Sequence, residues 1–271
     1  MNGISLRLER LFSRGENAVI VAMDHGEFDG PIPGMEDLAK TASRVDPCVD
    51  GILLSPGMLR HCTHAFNYKG APMAVVRLNW STVYCFDWKY EGGPTVPAFS
   101  PREAFALGAD VVLVSLTLRT GSERQDADNV ALFRRLSGEA HELGLPVIGE
   151  YFPLNSRQSP GEEMTSEIRI ACRILAELGA DMIKTFYTSD FRKTVGGCPI
   201  PIFGLGAERK PTQLEALQLA ADEVRDGARG VVFGRNALQV PDPPAFQRAL
   251  CDVVKRKVSA AEAVKKHGVK D

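Results

Sequence analysis

Eight short apolar runs recur along the chain, and most of them are separated by stretches with helical periodicity. The runs are AVIVAMD (18–24), DGILLS (50–55), MAVVRLN (73–79), DVVLVSL (110–116), PVIGEYF (146–152), DMIKTFY (181–187), PIFGLG (201–206) and GVVFGR (230–235). Near-continuous apolar strands that alternate with amphipathic helices are typical of a parallel sheet whose outer face is covered by helices. Eight such units in a chain of 271 residues predict an α/β fold, a single (β/α)8 TIM barrel.

Two observations favour this barrel over other α/β folds. No G-x-G-x-x-G segment follows the first run, which argues against a dinucleotide-binding sheet. Several runs are preceded by a glycine that ends a helix, as in ELGLPV and ELGADM, and this is usual before a short loop that enters a strand. Because the chain contains no linker, repeat or low-complexity segment, we expect residues 1–271 to form one domain.

Two connections are long, 80–101 after the third run and 153–164 after the fifth. In a barrel both follow the C-terminal ends of strands, where the active sites of this fold are built. The first connection contains Trp80, Trp88 and Tyr90, which we interpret as a packed lid or a subunit contact.

The composition excludes several classes of function. The formal net charge is −2 and the basic residues are scattered, unlike the basic patch of a nucleic-acid-binding protein. The basic C-terminal segment, 255–271, alternates lysine with alanine and valine and is interpreted as a solvated helix. Six cysteines without a C-x-x-C pair are typical of free thiols in a reducing compartment. No apolar run approaches membrane length, so we expect a cytoplasmic protein without a membrane partner.

Lys184 is the most unusual residue within the predicted strands, because a buried ammonium without a partner is costly. One interpretation is a structural ion pair with Asp24 or Glu150. The other is a reactive amine, since a lysine in a desolvated pocket can lose its proton near neutral pH and attack a carbonyl carbon to form a Schiff base.

Other polar residues are expected at the same end of the barrel. Asp24 and His25 close the first run, while Glu150 and Tyr151 close the fifth. Two carboxylates that converge on a lysine at the mouth of an apolar barrel are typical of a catalytic site, in which the acids move protons.

A phosphate site is expected beside them. Gly206 ends the seventh run, and Gly234 with Arg235 ends the eighth. The loops after the last two strands are the usual phosphate site of this fold, and an arginine adds a charge-assisted hydrogen bond.

Three segments resemble the archaeal-type class I fructose-bisphosphate aldolases. They are VAMDHGEFDGPIPGMEDL, GADMIKTFYTSDFRKTVGGCPIPI and GARGVVFGRNALQ, and the resemblance covers nearly the whole chain. The same superfamily includes the aminodideoxyheptulosonate synthases and the thiolase of autoinducer-2 phosphate breakdown. The resemblance implies that Lys184 is the Schiff-base residue and that Asp24 assists proton transfer or holds a substrate hydroxyl. It also implies that Gly234 and Arg235 bind phosphate.

The chain departs from this family at two positions. The family's fifth strand ends in a tyrosine that is the acid/base, but counting from Pro146 places Phe152 at that position and Tyr151 one residue early. Because side chains alternate along a strand, Tyr151 is expected to point away from the pocket and Glu150 into it. Glu150 is thus the favoured acid/base, and a local bulge would restore Tyr151. The second departure is Ala207, where the family has a glycine.

The remaining candidates are less specific. His25 is interpreted as a pocket residue or a contact to a substrate hydroxyl and not as a metal ligand, because no other histidine is placed to help. His61 and His64 are interpreted as ordinary surface or interface residues. Arg77, inside the third run, is equally consistent with an internal ion pair and with a substrate contact.

These residues together predict a metal-independent class I aldolase that needs no cofactor and acts on a small phosphorylated ketose. A thiolase-type or transaldolase-type transfer on a phosphorylated diketone uses the same lysine. A phosphosugar isomerase or epimerase on the same barrel, and a sugar-phosphate sensor without turnover, are also consistent with the sequence. By analogy with the family we expect a homo-oligomer.

Overall fold

Eight parallel strands close into a barrel in the computed structural model, which describes residues 2–90, 92–154 and 161–270. The order around the ring is β1, β2, β3, β6, β7, β8, β9 and β10, and β10 pairs with β1. The strands of the chain are β1 (Ala18–Ala22), β2 (Gly51–Leu54), β3 (Met73–Arg77), β4 (Asn79–Ser81), β5 (Thr95–Pro97), β6 (Val111–Leu116), β7 (Val147–Tyr151), β8 (Met182–Phe186), β9 (Ile202–Leu205) and β10 (Gly230–Phe233).

Helices follow or precede the barrel strands, and most of them cover the strands on the outside. In the described residues they are α1 (Gly3–Leu11), α2 (Gly26–Asp29), α3 (Leu38–Ala42), α4 (Pro56–Leu59), α5 (Pro101–Ala106), α6 (Glu123–Glu142), α7 (Glu162–Glu177), α8 (Phe191–Gly196), α9 (Gln213–Arg225), α10 (Arg235–Leu238), α11 (Pro243–Arg256) and α12 (Ala260–His267). Side chains fix several helix starts, as in the capping box of Ser100 and Glu103 at α5.

The predicted TIM barrel is confirmed, and each of the eight apolar runs contains one barrel strand. Two features were not predicted. Within the long connection after β3, strands β4 and β5 pair antiparallel and form a small separate ribbon. Before β1, helix α1 packs Leu8 and Leu11 against the apolar cluster inside the barrel.

Alternation along the strands decides which side chains point into the barrel. In β8, Met182 belongs to the inner apolar cluster, whereas Ile183 belongs to the outer cluster between strands and helices. Because the side-chain period of a strand is two, Lys184 lies on the inner face with Met182. The strands thereby carry polar side chains into the mouth of an otherwise apolar barrel.

The C-terminal segment differs in part from the predicted solvated helix. Helix α11 ends at Arg256, Lys257 adopts a left-handed conformation, and α12 follows as a separate helix. One face of α12 is buried through Ala260 and Ala263, while its lysines remain in solvent. All six cysteines are free. None of the helices in the described ranges is both long and apolar enough to be a membrane span.

Candidate active site

A cavity of about 700 Å³ opens at the C-terminal ends of the barrel strands. Seven of the eight candidate residues taken from the sequence line it, and Tyr151 does not. The seven are Asp24, His25, Glu150, Lys184, Gly206, Gly234 and Arg235.

Lys184 and Glu150 are neighbours on adjacent strands. They are direct partners in the parallel register of β7 and β8, and Lys184 Nζ lies 2.5 Å from Glu150 Oε1. Both side chains are buried, yet both form part of the cavity wall. The ion pair considered from the sequence is therefore present, and it lies where a bound molecule can reach the amine.

Arg77 joins the two carboxylates of the site. Its Nε lies 2.7 Å from Asp24 Oδ2, and its Nη2 lies 2.5 Å from Glu150 Oε2. The Tyr84 hydroxyl also donates to Glu150 Oε2, at 2.8 Å. Arg77 is 1% exposed and extends from the inner face of β3. The internal ion pair is therefore formed, while Arg77 Nη1 is buried without a partner among the described residues.

The charges of this cluster control the protonation of its acids. Burial alone would raise the pKa of Asp24, but the charges of Arg77 and Lys184 lower it to about 2. Burial also opposes ionisation of Glu150, and the same two cations lower its pKa below the ordinary value. Both acids are thus carboxylates at neutral pH.

Tyr151 points to the opposite side of β7. Its hydroxyl donates to Glu167 Oε1 of α7 at 2.5 Å, and the other oxygen of that carboxylate pairs with Arg119 at 2.8 Å. Burial and the hydrogen bond to Glu167 raise the pKa of the tyrosine. The alternation of a regular strand directs the Tyr151 side chain to the helix layer, outside the cavity, as the strand register predicts. Glu150 and Phe152 face the cavity, as the strand register predicts.

The loops after β9 and β10 also line the cavity. Gly206 and Ala207 follow β9, and Gly234 with Arg235 follows β10. Ala207 has a φ of 50°, in the left-handed region that favours the glycine of the family. The Arg235 guanidinium donates to the Ala207 carbonyl at 2.9 Å, and burial lowers its pKa against the charges of Glu208 and Asp29. Arg235 Nε has no partner among the described residues.

His25 packs against Gly234. A Cβ at position 234 would lie 2.3 Å from His25 Cε1, so only glycine allows the ring to occupy this place. Burial lowers the pKa of His25 to about 4, although the nearby Asp24 charge opposes the shift. The imidazole is therefore neutral near pH 7 and can both donate and accept a hydrogen bond.

An aromatic wall in the cavity was not identified from the sequence. Phe28, Tyr84, Phe86 and Phe186 join Phe152 in the lining. Strand alternation could have found Phe186, two residues beyond Lys184, but Tyr84 and Phe86 lie on the connection after β4, where no sequence period applies. The residues singled out in that connection lie elsewhere: Trp80 donates to the Glu27 carbonyl at 3.1 Å, and exposed Trp88 stacks on Tyr90.

The two histidines that follow β2 lie on the surface. His61 and His64 are exposed, and His64 Nε2 lies 3.0 Å from the Ala39 carbonyl oxygen. Within the described ranges, no three His, Cys, Asp or Glu side chains are grouped so that they could hold a metal ion. Residues 155–160 of the second long connection lie outside the described residues.

Comparison with known sequences identifies related aldolases. The sequence model of the DeoC/LacD family aldolases matches residues 18–240. An uncharacterized aldolase of Saccharolobus solfataricus is 28% identical over 270 residues, covering 98% of this chain and 99% of the relative. A 3-hydroxy-5-phosphonooxypentane-2,4-dione thiolase of Klebsiella pneumoniae is 29% identical over 266 residues, covering 96% of this chain and 84% of the relative.

Solved structures give the same result. An archaeal fructose 1,6-bisphosphate aldolase superposes with a TM-score of 0.77 at 26% identity, covering 93% of this chain and 98% of the other. A structure of such an archaeal aldolase, with its catalytic lysine covalently bound to the carbinolamine intermediate of the substrate, also has a TM-score of 0.77 at 26% identity and covers 93% of this chain and 99% of the other.

Proposed function

The chain belongs to the DeoC/LacD family of aldolases, and from this premise we propose that Lys184 is its Schiff-base residue and that the substrate is a small phosphorylated ketose. Family membership and the match to Schiff-base-forming aldolases identify the chain as an aldolase. The residues that perform the reaction, and the phosphate of the substrate, are the proposal.

The position of Lys184 carries this proposal. A buried lysine that only stabilises the fold needs no access from solvent, as Lys255 illustrates. Lys255 Nζ lies 2.8 Å from Asp50 in the outer layer, away from the cavity. Lys184 Nζ also pairs with a carboxylate, Glu150, at 2.5 Å, but Lys184 forms part of the cavity wall. An amine in that position, beside a carboxylate that can take its proton, is suited to nucleophilic attack.

The first step joins Lys184 to the substrate. Glu150 accepts a proton from the Lys184 ammonium across the 2.5 Å contact, and the free amine attacks the ketone carbon. The resulting carbinolamine loses its hydroxyl as water when Glu150 returns a proton to it. The product is an iminium, in which the former carbonyl carbon is doubly bonded to Nζ.

The second step cleaves the carbon–carbon bond. Asp24 accepts the proton of the hydroxyl that is β to the iminium carbon, and the hydroxyl carbon becomes an aldehyde. The electron pair of the broken bond moves into the iminium and gives an enamine. Protonation of the enamine carbon and addition of water then release the second product and restore the Lys184 amine. The low pKa of Asp24, about 2, keeps it ionised as a base throughout the neutral range.

The phosphate is proposed from two kinds of support. The compounds in the names of the archaeal aldolase and of the Klebsiella thiolase are both phosphate esters. In this chain Arg235, Gly206 and Gly234 lie together at the usual phosphate site of the barrel, and buried Arg235 Nε is available as a donor. His25 lies beside them and is suited to contact a neighbouring hydroxyl.

A thiolase-type transfer is a second candidate, because the Klebsiella relative is a thiolase of similar identity. It shares the lysine and differs in the group that receives the fragment, which is a thiol. The cytosolic location and the homo-oligomer expected from the sequence remain proposals.

Borohydride trapping tests the proposal. The protein is incubated with dihydroxyacetone phosphate or another phosphorylated ketone and reduced, and the modified peptide is located by mass spectrometry. We expect a stable adduct on Lys184 in the wild type and none in Lys184→Arg. The matched control Lys255→Arg keeps the adduct, because that lysine lies outside the cavity. Turnover of a phosphoketose without any adduct on Lys184 would contradict the proposal and favour an isomerase or epimerase.

A further inference from the structure

The long connection after β3 brings a tyrosine hydroxyl into the barrel. The connection contains the β4–β5 ribbon, and a short 3₁₀ turn, Thr82–Tyr84, begins where β4 ends. The Ser81 side chain caps this turn by accepting a hydrogen bond from the Val83 amide. Tyr84 is buried and lines the cavity. A segment that belongs to none of the barrel strands therefore delivers a polar group to the candidate active site.

The ring of Tyr84 is held on several sides. Its centroid lies 4.4 Å from that of Phe152 and 4.7 Å from that of Phe28. The guanidinium carbon of Arg77 lies 4.7 Å from the same centroid, within the range of a cation–π contact. Because these neighbours restrict the ring, the hydroxyl of Tyr84 is held in one place in the cavity.

The two carboxyl oxygens of Glu150 have different partners. Oε2 accepts hydrogen bonds from the Tyr84 hydroxyl at 2.8 Å and from Arg77 Nη2 at 2.5 Å. Oε1 lies 2.5 Å from Lys184 Nζ. Each oxygen of a carboxylate has about two lone-pair positions, so the two donors occupy Oε2. The oxygen that remains to exchange a proton with Lys184 is Oε1.

We propose that Tyr84 is a positioning residue of the reaction: with Arg77 it holds Oε2 of Glu150, so that both proton transfers of the first step use Oε1. This inference rests on the proposed function. In that step the Lys184 ammonium gives a proton to Oε1, and the carbinolamine hydroxyl later takes a proton from Oε1 and leaves as water. Tyr84 donates a hydrogen bond in both transfers and keeps its own proton.

The hydroxyl of Tyr84 also affects the charge of Glu150. Burial and the charge of Glu150 raise the pKa of the tyrosine, against the opposing charge of Arg77, so Tyr84 remains a donor at neutral pH. A hydrogen bond donated to a carboxylate favours its ionised form. Burial raises the pKa of Glu150, Arg77 and Lys184 lower it, and the charge of Asp24 raises it. Removal of the Tyr84 hydroxyl should therefore raise the pKa of Glu150.

Tyr84→Phe tests this role, because it removes the hydroxyl and keeps the ring. The protein is mixed with dihydroxyacetone phosphate and quenched with borohydride at timed intervals, over a series of ketone concentrations and pH values. We expect the maximal rate of adduct formation on Lys184 to fall by about tenfold, because a misplaced acid/base transfers protons less efficiently. The half-saturating ketone concentration should stay the same, and the acid limb of the rate should move to higher pH.

Tyr187 offers a matched control. Its hydroxyl also donates to a carboxylate, Asp226, at 2.6 Å, but it lies outside the described cavity lining. Tyr187→Phe should therefore keep the wild-type rate and the wild-type acid limb.

A double variant distinguishes positioning from damage to the fold. If Tyr84 acts through Glu150, Tyr84→Phe should slow the Glu150→Gln protein little further, whereas a structural role would slow both backgrounds by the same factor. Effects that multiply overturn the inference. A Tyr84→Phe protein with the wild-type rate and acid limb, while the wild type forms the adduct, overturns this inference alone. A wild type that forms no adduct on Lys184 overturns the proposed function, and this inference with it.

Discussion

Glu150 and Tyr151 are consecutive residues of β7, yet their side chains lie on opposite sides of the barrel wall. Glu150 contacts Lys184, Arg77 and Tyr84 in the cavity, whereas the Tyr151 hydroxyl donates to Glu167 of α7. The two candidates for the acid/base are therefore adjacent in sequence, but their side chains lie on opposite faces of the sheet.

Substitution of each residue separates the two roles. Glu150→Gln removes the proton acceptor beside Lys184, so we expect kcat to fall by about 10²- to 10⁴-fold and the borohydride adduct to form slowly. Tyr151→Phe removes a buried hydrogen bond far from the substrate. It is expected to keep kcat within about twofold and to lower the free energy of unfolding by about 1–2 kcal/mol. Single-turnover rates and urea denaturation measure both. A tyrosine variant with the larger loss of kcat would assign the proton transfer to Tyr151.

Arg77 determines the protonation of both carboxylates, which predicts a change in pH dependence. Its charge lowers the pKa of Asp24 and of Glu150, so its removal in Arg77→Met should raise both. Because both acids act as carboxylates, the acid limb of kcat/KM is expected to move to higher pH. Arg77→Lys keeps a charge and should shift the limb less.

Arg77→Met should also lower the free energy of unfolding. Removing one partner of a buried charge cluster typically lowers the free energy of unfolding by about 3–5 kcal/mol. Arg119 offers a matched control, since it also bonds two carboxylates, Glu163 and Glu167, but lies 57% exposed. Arg119→Met should leave the free energy of unfolding nearly unchanged, because solvent screens its ion pairs. An unchanged acid limb in Arg77→Met would show that Arg77 serves the fold alone.

The predictable part of this site follows from strand periodicity. A period of two holds along a regular strand, so counting from Pro146 was enough to place Glu150 inside and Tyr151 outside. The same counting places Lys184 with Met182 on the inner face of β8. The positions of the strands could also be predicted from the sequence, because parallel barrel strands are buried on both faces and form unbroken apolar runs.

The unpredicted part depends on contacts between distant segments. Arg77 was correctly expected within a strand, but the choice between an ion pair and a substrate contact depends on carboxylates 53 and 73 residues away in sequence. Tyr84 is positioned by the β4–β5 ribbon, which carries only three residues in each strand and no clear pattern. Tertiary packing brings these groups together, and no local sequence preference indicates that they will meet.

Gly234 is predicted to be essential for the placement of His25 at the phosphate end. In Gly234→Ala the new methyl group would meet His25 Cε1 at 2.3 Å and the Ala22 carbonyl oxygen at 2.9 Å, so the ring must move. We expect KM for a phosphorylated substrate to rise by about tenfold, with a smaller change in kcat. Gly196→Ala is the control, because a methyl group there meets nothing within 4 Å. Equal KM values in the two variants would argue that the site tolerates displacement of His25.

The buried carboxyl group of Glu27 should make the stability of the protein depend on pH. Its two carboxyl oxygens are buried without a hydrogen-bond partner among the described residues, and burial raises its pKa to about 8, against the opposing charge of Arg77. The ordinary value is 4.5, so the folded chain holds this proton more tightly than the unfolded chain. Its favourable contribution is therefore complete below pH 4.5 and is lost as the pH rises towards 8.

The substitution Glu27→Gln should remove this dependence, since the amide is neutral at every pH. Between about pH 5 and 8.5 we expect the wild type to lose about 2–4 kcal/mol of unfolding free energy relative to the variant. Glu139→Gln changes an exposed residue of α6 and should run parallel to the wild type. Denaturant titrations at both pH values measure the differences. Parallel curves for the wild type and Glu27→Gln would mean that Glu27 is already ionised in the folded protein, with its charge balanced by Arg77.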